Sequence, residues 1–552
     1  MTDKPVQPGL HHGSFNRKVT GEQAALQRLP TSGATRAVAG VKPTWKVNIG
    51  GGKGGGFFDR MFKGGKPFTA PDDKLLTLAN AMKETDPNDA ALDNPGIPAG
   101  YTYLGQFVDH DITLDTTPLS TAMADLGMVE NFRSPGLDLD SVYGSGPGPH
   151  RFLFARERVQ GKKEFRDTSK LLLGKTEVSP DQNGVDILPD NKDNDLPRNP
   201  QGAAIIGDHR NDENLLVAQT HVAFLKFHNK VVDELVAANT PRSELFDKAS
   251  RIVRWHYQWM VLHDLVARLT EPGTVNKVLT EGRKFYRFKK QPYMPFEFSA
   301  ALFRLGHSMV REVYSHNRVF PSDSSGITNG TLRLLFNFSG LSGLIGGDIA
   351  FVPPPPPPPG PPSTRLLPTN WIVDWRRFYD FSGVPLNLSR RLDPLLAPML
   401  HTLPGESGTD MNLAFRNLKR GVRLQLPSGQ AVAEVMSKKI AFTALTSAEI
   451  ASGADGAVAK SLGFHTDTPL WYYILKEAQV RHQGLHLGPV GSRLLAEVFV
   501  GLVQGGEDTF LSDKAPKNWK PHLKAKSPGN FTMTDLLNFV GEVSPIDGVA
   551  TA

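Results

Sequence analysis

Apolar residues recur at three- and four-residue spacing through long stretches of this chain, which is the mark of helices with one buried face. The clearest stretch is Glu213 to Asn239, which holds neither Gly nor Pro and carries Leu216, Ala223, Phe227, Val231 and Leu235 at that spacing. Thr240 and Pro241 then read as N-cap and first residue of a second long helix, running to about Leu269 with Ile252, Trp255, Trp259 and Leu262 on one stripe. Pro272 and Gly273 end it. Alternating strand patterns are scarce. The predicted class is mainly α: a single large all-α domain with few short strands.

Residues 1–65 lack this periodicity and are rich in Gly, Pro and Lys, so they read as a flexible N-terminal arm ahead of a domain over 66–545. The string GGGKGGG at Gly50 to Gly56 invites a phosphate-cradling reading, but Lys53 is followed by Gly54 where a Walker loop needs Ser or Thr. Pro353 to Pro359, with Gly360, Pro361 and Pro362, has no amide donors and forms polyproline II. Helical sequence resumes after it, so 353–362 is expected to be a stiff insertion within the domain. The functional counterpart is a proline-binding partner.

Hydrophobic residues are 39 % of the 552, and the 53 Gly and 43 Pro fall well short of the roughly 25–30 % that marks low complexity. The chain can therefore bury a large core. A net charge of +6 over this length argues against nucleic acid as partner, since such binders concentrate basic residues on one face. The absence of cysteine excludes disulfides, thiolate metal sites and cysteine nucleophiles. No apolar h-region opens the chain and no run of 18 apolar residues follows. The expectation is a soluble, cytoplasmic protein without a membrane span, with non-classical secretion left open.

Three segments carry candidate chemistry. In Leu104 to Asp111 (LGQFVDHD), Gln106, Asp109 and His110 share one helical face, and Asp111 points about 100° further round. Gly207 to Glu213 (GDHRNDE) opens the first long helix and sets Arg210 and Glu213 three apart. Phe303 to Ser308 (FRLGHS) places His307 alone in an apolar setting, where a satisfied core histidine is the ordinary reading.

Together these segments resemble the animal-type haem peroxidase superfamily. GQFVDHD resembles its distal-histidine motif, GDHRNDEN its catalytic-arginine motif and FRLGH its proximal-histidine motif. Leu137 to Gly144 (LDLDSVYG) resembles its calcium loop, and Arg416 to Gly429 (RNLKRGVRLQLPSG) the segment with the asparagine behind the proximal histidine. Thr468 to Ala478 (TPLWYYILKEA) is typical of bacterial members. The resemblance spans about 70 to 510 in the family's order.

The resemblance implies an all-α peroxidase domain with haem b between distal and proximal helices. It makes His307 the proximal iron ligand, its other ring nitrogen donating to Asn417. His110 becomes the general base, Arg210 stabilises charge as the O–O bond breaks, and Gln106 holds distal water or a halide. Asp109 and Glu213 match the carboxylates esterified to haem. Asp111, Ser134, the Gly136 carbonyl, Asp138 and Asp140 match a Ca²⁺ site of hard oxygen donors. The implied activity is an H₂O₂-dependent peroxidase acting on bromide, iodide, thiocyanate or small aromatic donors. The alternatives are a fatty-acid dioxygenase of the same fold and a non-catalytic peroxidase-like interaction protein. Arg304, where cyclooxygenase-type members carry a radical tyrosine, weighs against the dioxygenase; retention of His110, Arg210 and His307 weighs against the scaffold. Asn214 follows Glu213 where myeloperoxidase has methionine, so no sulfonium link to haem is expected.

Overall fold

The computed structural model describes residues 46–47, 49–50, 58–115, 131–177, 193–321, 330–342, 345 and 366–547. The polyproline run at 353–362 and most of the glycine string lie outside the described residues. The chain divides into units at Met1–Pro43 and Thr44–Ala552, and only the second contains described residues.

As expected, helices dominate and strands are short. Helix α1 (Gly100–Ile112) carries the distal motif and starts in tight quarters. A Cβ at Gly100 would lie 2.4 Å from the Tyr379 ring and 2.6 Å from the Phe378 carbonyl, so only glycine lets α1 approach that segment. Helix α2 (Leu215–Ala237) is capped by Asn214, whose side chain accepts from Val217 N at 2.9 Å. Its residues Leu215 to His228 are all buried, so it is a central helix rather than a surface one. Phe107 of α1 stacks on Phe224 of α2 with centroids 4.6 Å apart, which fixes the distal helix against this central rod.

The second long helix differs in detail from its expected form. Pro241 caps a 3₁₀ turn at Arg242–Glu244, helix α3 follows over Leu245–Met260, and a π segment runs from Val261 to Val266. The fully buried face of α3 is Ala249, Val253, Tyr257 and Met260, while Ile252, Trp255 and Trp259 are only half-buried. The tryptophans instead pack sideways on Trp519, with centroids 5.4 Å and 6.3 Å away, so they belong to an outer aromatic layer.

The proximal motif follows the short helix α4 (Phe296–Ala300) and lies on a 3₁₀ helix over Leu302–Met309. Helices α5 (Leu413–Arg423), α6 (Leu470–His482) and α7 (Pro489–Gly505) back it. Strand β1 (Asp93–Pro98) pairs antiparallel with β4 (Leu388–Arg390), with a register shift between Leu388 and Ser389. Strands β2 (Phe154–Arg158) and β3 (Phe165–Leu171) form a hairpin.

The end of the N-terminal arm corrects its expected boundary at 65. Phe58–Asp59 runs parallel to Met294–Pro295, Met61 and Phe62 are fully buried, and their amides donate to Glu297 at 2.9 and 3.0 Å. Two apolar side chains in a glycine-rich stretch give no periodic signal, yet they enter the core. No helix among the described residues is long and apolar enough to cross a membrane.

Candidate active site

A cavity of about 420 Å³, within the ~300–1,000 Å³ of small-molecule and cofactor pockets, lies between α1 and the 3₁₀ helix. Gln106, Asp109, His110 and Glu213 line one side, and Arg304, Gly306 and His307 the other. Leu269, Leu332, Phe336, Leu400 and Leu413 make much of the remaining wall apolar. A Cβ added at Gly105 or Gly306 would meet nothing within 4 Å, so the backbone itself abuts open space at both positions. The expected face of α1 is thus the face that looks into the cavity.

On the distal side, His110 is 4 % exposed and bonded at both ring nitrogens. Its Nδ1 donates to Asn211 Oδ1 at 2.9 Å, and its Nε2 lies 3.3 Å from Glu213 Oε1. The same carboxylate oxygen accepts from Gln106 Nε2, and Gln106 Oε1 accepts from Asn214 Nδ2 at 2.8 Å. Burial would raise the Glu213 carboxyl, but the His110 and Arg210 charges and the Gln106 bond outweigh it and hold it below its ordinary value. Asn211 Nδ2 in turn donates to Nδ1 of His221 at 2.9 Å. Burial holds His221 at about 3, so it is neutral and serves as an acceptor.

Arg210 departs from the expected arrangement: its side chain is not part of the cavity lining. The guanidinium pairs with Asp208 (Nη2 to Oδ2, 2.7 Å) and donates to the carbonyls of His110 and Thr113. Asp208 is buried, which would raise its pKa, yet the Arg210 bond and the Arg210, Arg133 and His110 charges bring it well below the carboxylate range. In this geometry a buried carboxylate draws Arg210 onto the C-terminal turn of α1.

On the proximal side, His307 and Asn417 meet as expected, but with the polarity reversed. Asn417 Nδ2 donates to His307 Nδ1 at 2.8 Å, because the amide oxygen is taken by Arg304 Nη1 at 2.9 Å. A guanidinium has only donors, so it claims the one acceptor of the amide. Burial, followed by the Arg304 charge, lowers His307 to about 3. Burial and the Arg420 charge lower Arg304 to about 10.

The family model described as animal haem peroxidase matches residues 125–339, a span that includes Arg210 and His307. A peroxidase-like protein of Margaritifera margaritifera is 32 % identical over 121 residues, 21 % of this chain and 15 % of that protein. A probable oxidoreductase of Homo sapiens, PXDNL, is 30 % identical over 127 residues, 22 % of this chain and 8 % of that protein. The matches therefore span less than a fifth of either relative. Among solved structures, peroxidase A of Dictyostelium discoideum aligns with a TM-score of 0.55 at 12 % identity, covering 90 % of this chain and 96 % of that one. The fatty acid alpha-dioxygenase of Oryza sativa aligns with a TM-score of 0.51 at 14 % identity, covering 83 % and 77 %. These two share the fold. Residues 125–339 of the chain thus match the animal haem peroxidase family, and the solved structures extend the likeness of fold over most of the chain.

The calcium-loop residues inferred from that superfamily do come together. Asp111, which points away from the cavity, lies with Asp138 and Asp140 so that one oxygen of each falls within 4.8 Å of the others. Ser134 Oγ donates to Asp138 Oδ2 at 2.6 Å, and a Cβ on Gly136 would stand 3.5 Å from Ser134 Oγ. Burial and the Asp138 charge push Asp111 up to about 7, and burial raises Asp138 and Asp140 as well. Tyr257 donates to Asp111 Oδ2 at 3.2 Å, tying the cluster to α3. A Cβ on Gly207 would be 2.5 Å from the Ser141 carbonyl, so this loop and the Arg210 segment are in direct contact.

Sequence reading misses Asn211, Asp208 and His221 in this site. Asn211 and Asp208 sit inside the arginine motif itself, where each reads as ordinary turn polarity. His221 falls in the apolar run of α2, and only its place beyond the arginine motif marks it.

Proposed function

We propose that this protein is a haem peroxidase that uses H₂O₂ to oxidise halides and pseudohalides (bromide, iodide, thiocyanate) or small aromatic donors. The observation that carries the reading is one cavity with His110 on one side, His307 on the other and bare backbone at Gly105 and Gly306 between apolar walls. A flat, largely apolar ring with polar edges fits that shape. Bound haem supplies the two-electron reduction of H₂O₂.

In this reading His307 would hold the iron through Nε2, which places the ring proton on Nδ1 and requires the Asn417 amide to turn its oxygen toward it. His110 is the general base: its Nδ1–H is committed to Asn211, which leaves Nε2 to take a proton from one peroxide oxygen and return it to the other. Gln106 orients water or a halide beside it. Arg210 lies outside the cavity lining, and its bonds to the His110 and Thr113 carbonyls fix the turn that carries His110. Asp109 and Glu213 both line the cavity, where they would hold the haem edge and could be linked to it as esters under oxidation by peroxide. Asp111, Asp138 and Asp140, with Ser134 and the Gly136 carbonyl, would hold Ca²⁺; a divalent cation would offset the mutual repulsion of the three carboxylates.

The test is a visible spectrum of protein purified with haem supplied, followed by steady-state rates with chloride, bromide, iodide, thiocyanate and phenols. A Soret band lost in His307→Ala, with H₂O₂-dependent turnover of one donor class, is the expected result. Haem fully retained in His307→Ala with an unchanged ferric spectrum would overturn the ligand assignment. A fatty-acid dioxygenase is the second reading, favoured by the Oryza sativa fold likeness and the apolar cavity wall. Arg304 stands against it, and oxygen uptake with linoleate would establish it. An interaction protein without haem would show no Soret band.

A further inference from the structure

We infer that Tyr101 is a redox-active residue, the place where the protein itself is oxidised by one electron, with Asp264 as the base that takes its proton. This rests on the reading that the cavity takes haem and that H₂O₂ is the oxidant.

Tyr101 lines the cavity, from the first turn of the helix that carries His110, and is 2 % exposed. Its hydroxyl donates to the Asp264 carboxylate, 2.8 Å from Oδ1 and 2.9 Å from Oδ2. Asp264 sits in the π segment Val261–Val266, a distortion of the α ladder that often marks functional positions. Arg268 Nε at 2.8 Å and the Met533 amide at 3.0 Å hold the carboxylate in place.

A phenol that loses an electron becomes strongly acidic, so its oxidation is feasible in a buried site only where a base takes the proton. Asp264 is that base. The Arg268 guanidinium lies 4.5 Å over the Tyr101 ring and disfavours a cationic ring, so electron and proton must leave together. The step balances: the Tyr101 O–H bond breaks, its proton forms an O–H bond on Asp264, and one electron passes to the peroxide-oxidised centre in the cavity. Tyr101 is left as the neutral phenoxyl radical. Return of one electron from a phenolic donor, with the proton from Asp264, restores the pair.

Two further oxidisable rings extend from Tyr101. Tyr379 is 5.2 Å away between centroids, and Trp375 is 5.8 Å from Tyr379. Tyr103 also lines the cavity, but its hydroxyl donates to the Tyr314 phenol, which is no base. The chemistry thus singles out Tyr101 over its neighbour two residues on.

The experiment uses haem-loaded protein, one equivalent of H₂O₂ without donor, rapid freezing and electron paramagnetic resonance. The expected result is a tyrosyl signal that narrows with ring-deuterated tyrosine, disappears in Tyr101→Phe, weakens in Asp264→Asn and persists in Tyr103→Phe. A nitroso spin trap on the wild-type protein, followed by peptide mapping, locates the radical without relying on any variant folding. An unchanged signal in Tyr101→Phe, a trap adduct on another tyrosine, or no protein radical at all would overturn the inference. The Soret band and its response to H₂O₂ are read on the same samples. If they are present without the radical, only this inference fails; if they are absent, the haem reading fails with it.

Discussion

Asn211 bridges two histidines: its Oδ1 accepts from Nδ1 of His110 at 2.9 Å, while its Nδ2 donates to Nδ1 of His221 at 2.9 Å. Because an amide has one end of each kind, this bridge fixes which nitrogen of His110 bears the proton. Burial keeps His221 neutral at about 3, so the acceptor behind Asn211 does not switch off at physiological pH. Replacing Asn211 with Leu frees the His110 ring to turn and to change tautomer. Loss of such an outer partner typically costs about 10–100-fold in activity. Stopped-flow mixing of Asn211→Leu with H₂O₂ should show a rate lower by that factor with haem content unchanged. A wild-type rate would show that His110 does not depend on this bridge.

The legible parts of the site are those encoded by local periodicity. Gln106, Asp109 and His110 lie on one helical face by spacing alone, and Asp111 leaves that face, as α1 bears out. What joins α1 to its partners is not local. Asp111 meets Tyr257 across 146 positions, and Asn417 meets His307 across 110, so neither pairing has a spacing to read. The polarity of the Asn417 contact is decided by a third residue, Arg304, which no pairwise reasoning includes. The stripe expected on α3 fails for a similar reason. Trp255 and Trp259 are large and apolar, but a distant residue, Trp519, supplies a second layer that holds them half-buried while Tyr257 faces the core.

The acidic loop should respond to chelation. Asp111 follows His110 directly, so a cation held by Asp111, Asp138 and Asp140 braces the distal helix. A ligand at 100 times its dissociation constant adds about 2.7 kcal/mol to folding stability. Metal analysis of protein purified without chelator should find one calcium per chain. Treatment with EGTA, or Asp138→Asn, should lower the melting temperature. No bound calcium and no effect of EGTA would remove the ion from the site.

His256 provides a pH test with a defined sign. Burial brings it down to about 3, with a smaller push from His522, and its neutral ring is used at both nitrogens. Nδ1 donates to the Ile252 carbonyl at 2.7 Å, while Nε2 accepts from the amides of His522 and Leu523 at 3.2 and 3.4 Å. A proton on Nε2 would face two donors. The folded state therefore resists protonation while the unfolded chain accepts it below its ordinary value near 6.5. Stability carried by this group is complete above 6.5 and is lost as pH falls toward 3, by up to about 1.4 kcal/mol per pH unit. Other buried groups act in the opposite sense, among them Glu477, raised by burial to about 8, so the total curve is not diagnostic. The comparison with His256→Gln is. Denaturant unfolding should show the variant less stable at pH 8, with the deficit shrinking steadily between pH 6.5 and 4.5. A deficit independent of pH would mean that His256 titrates normally.

Glu213 and His110 share one contact, and this links covalent attachment to the distal base. Glu213 Oε1 lies 3.3 Å from His110 Nε2 and is held below its ordinary pKa, so an anion faces the nitrogen that takes the peroxide proton in the proposed reaction. Esterification of Glu213 to haem would remove that negative charge and free Nε2. Covalent linkage is thus expected to increase the rate at which the enzyme reacts with H₂O₂, beyond any effect on the haem itself. Denaturing mass spectrometry before and after a few equivalents of H₂O₂ should show haem becoming attached to the polypeptide. Asp109→Val and Glu213→Gln should each remove one link. Because an amide side chain carries no charge, Glu213→Gln should also react with peroxide at the full rate from its first turnover, whereas freshly loaded wild-type protein should speed up as its links form. Haem wholly extractable from turned-over wild-type protein would eliminate the esters. A Glu213→Gln variant as slow as unlinked wild type would eliminate the proposed coupling of Glu213 charge to His110.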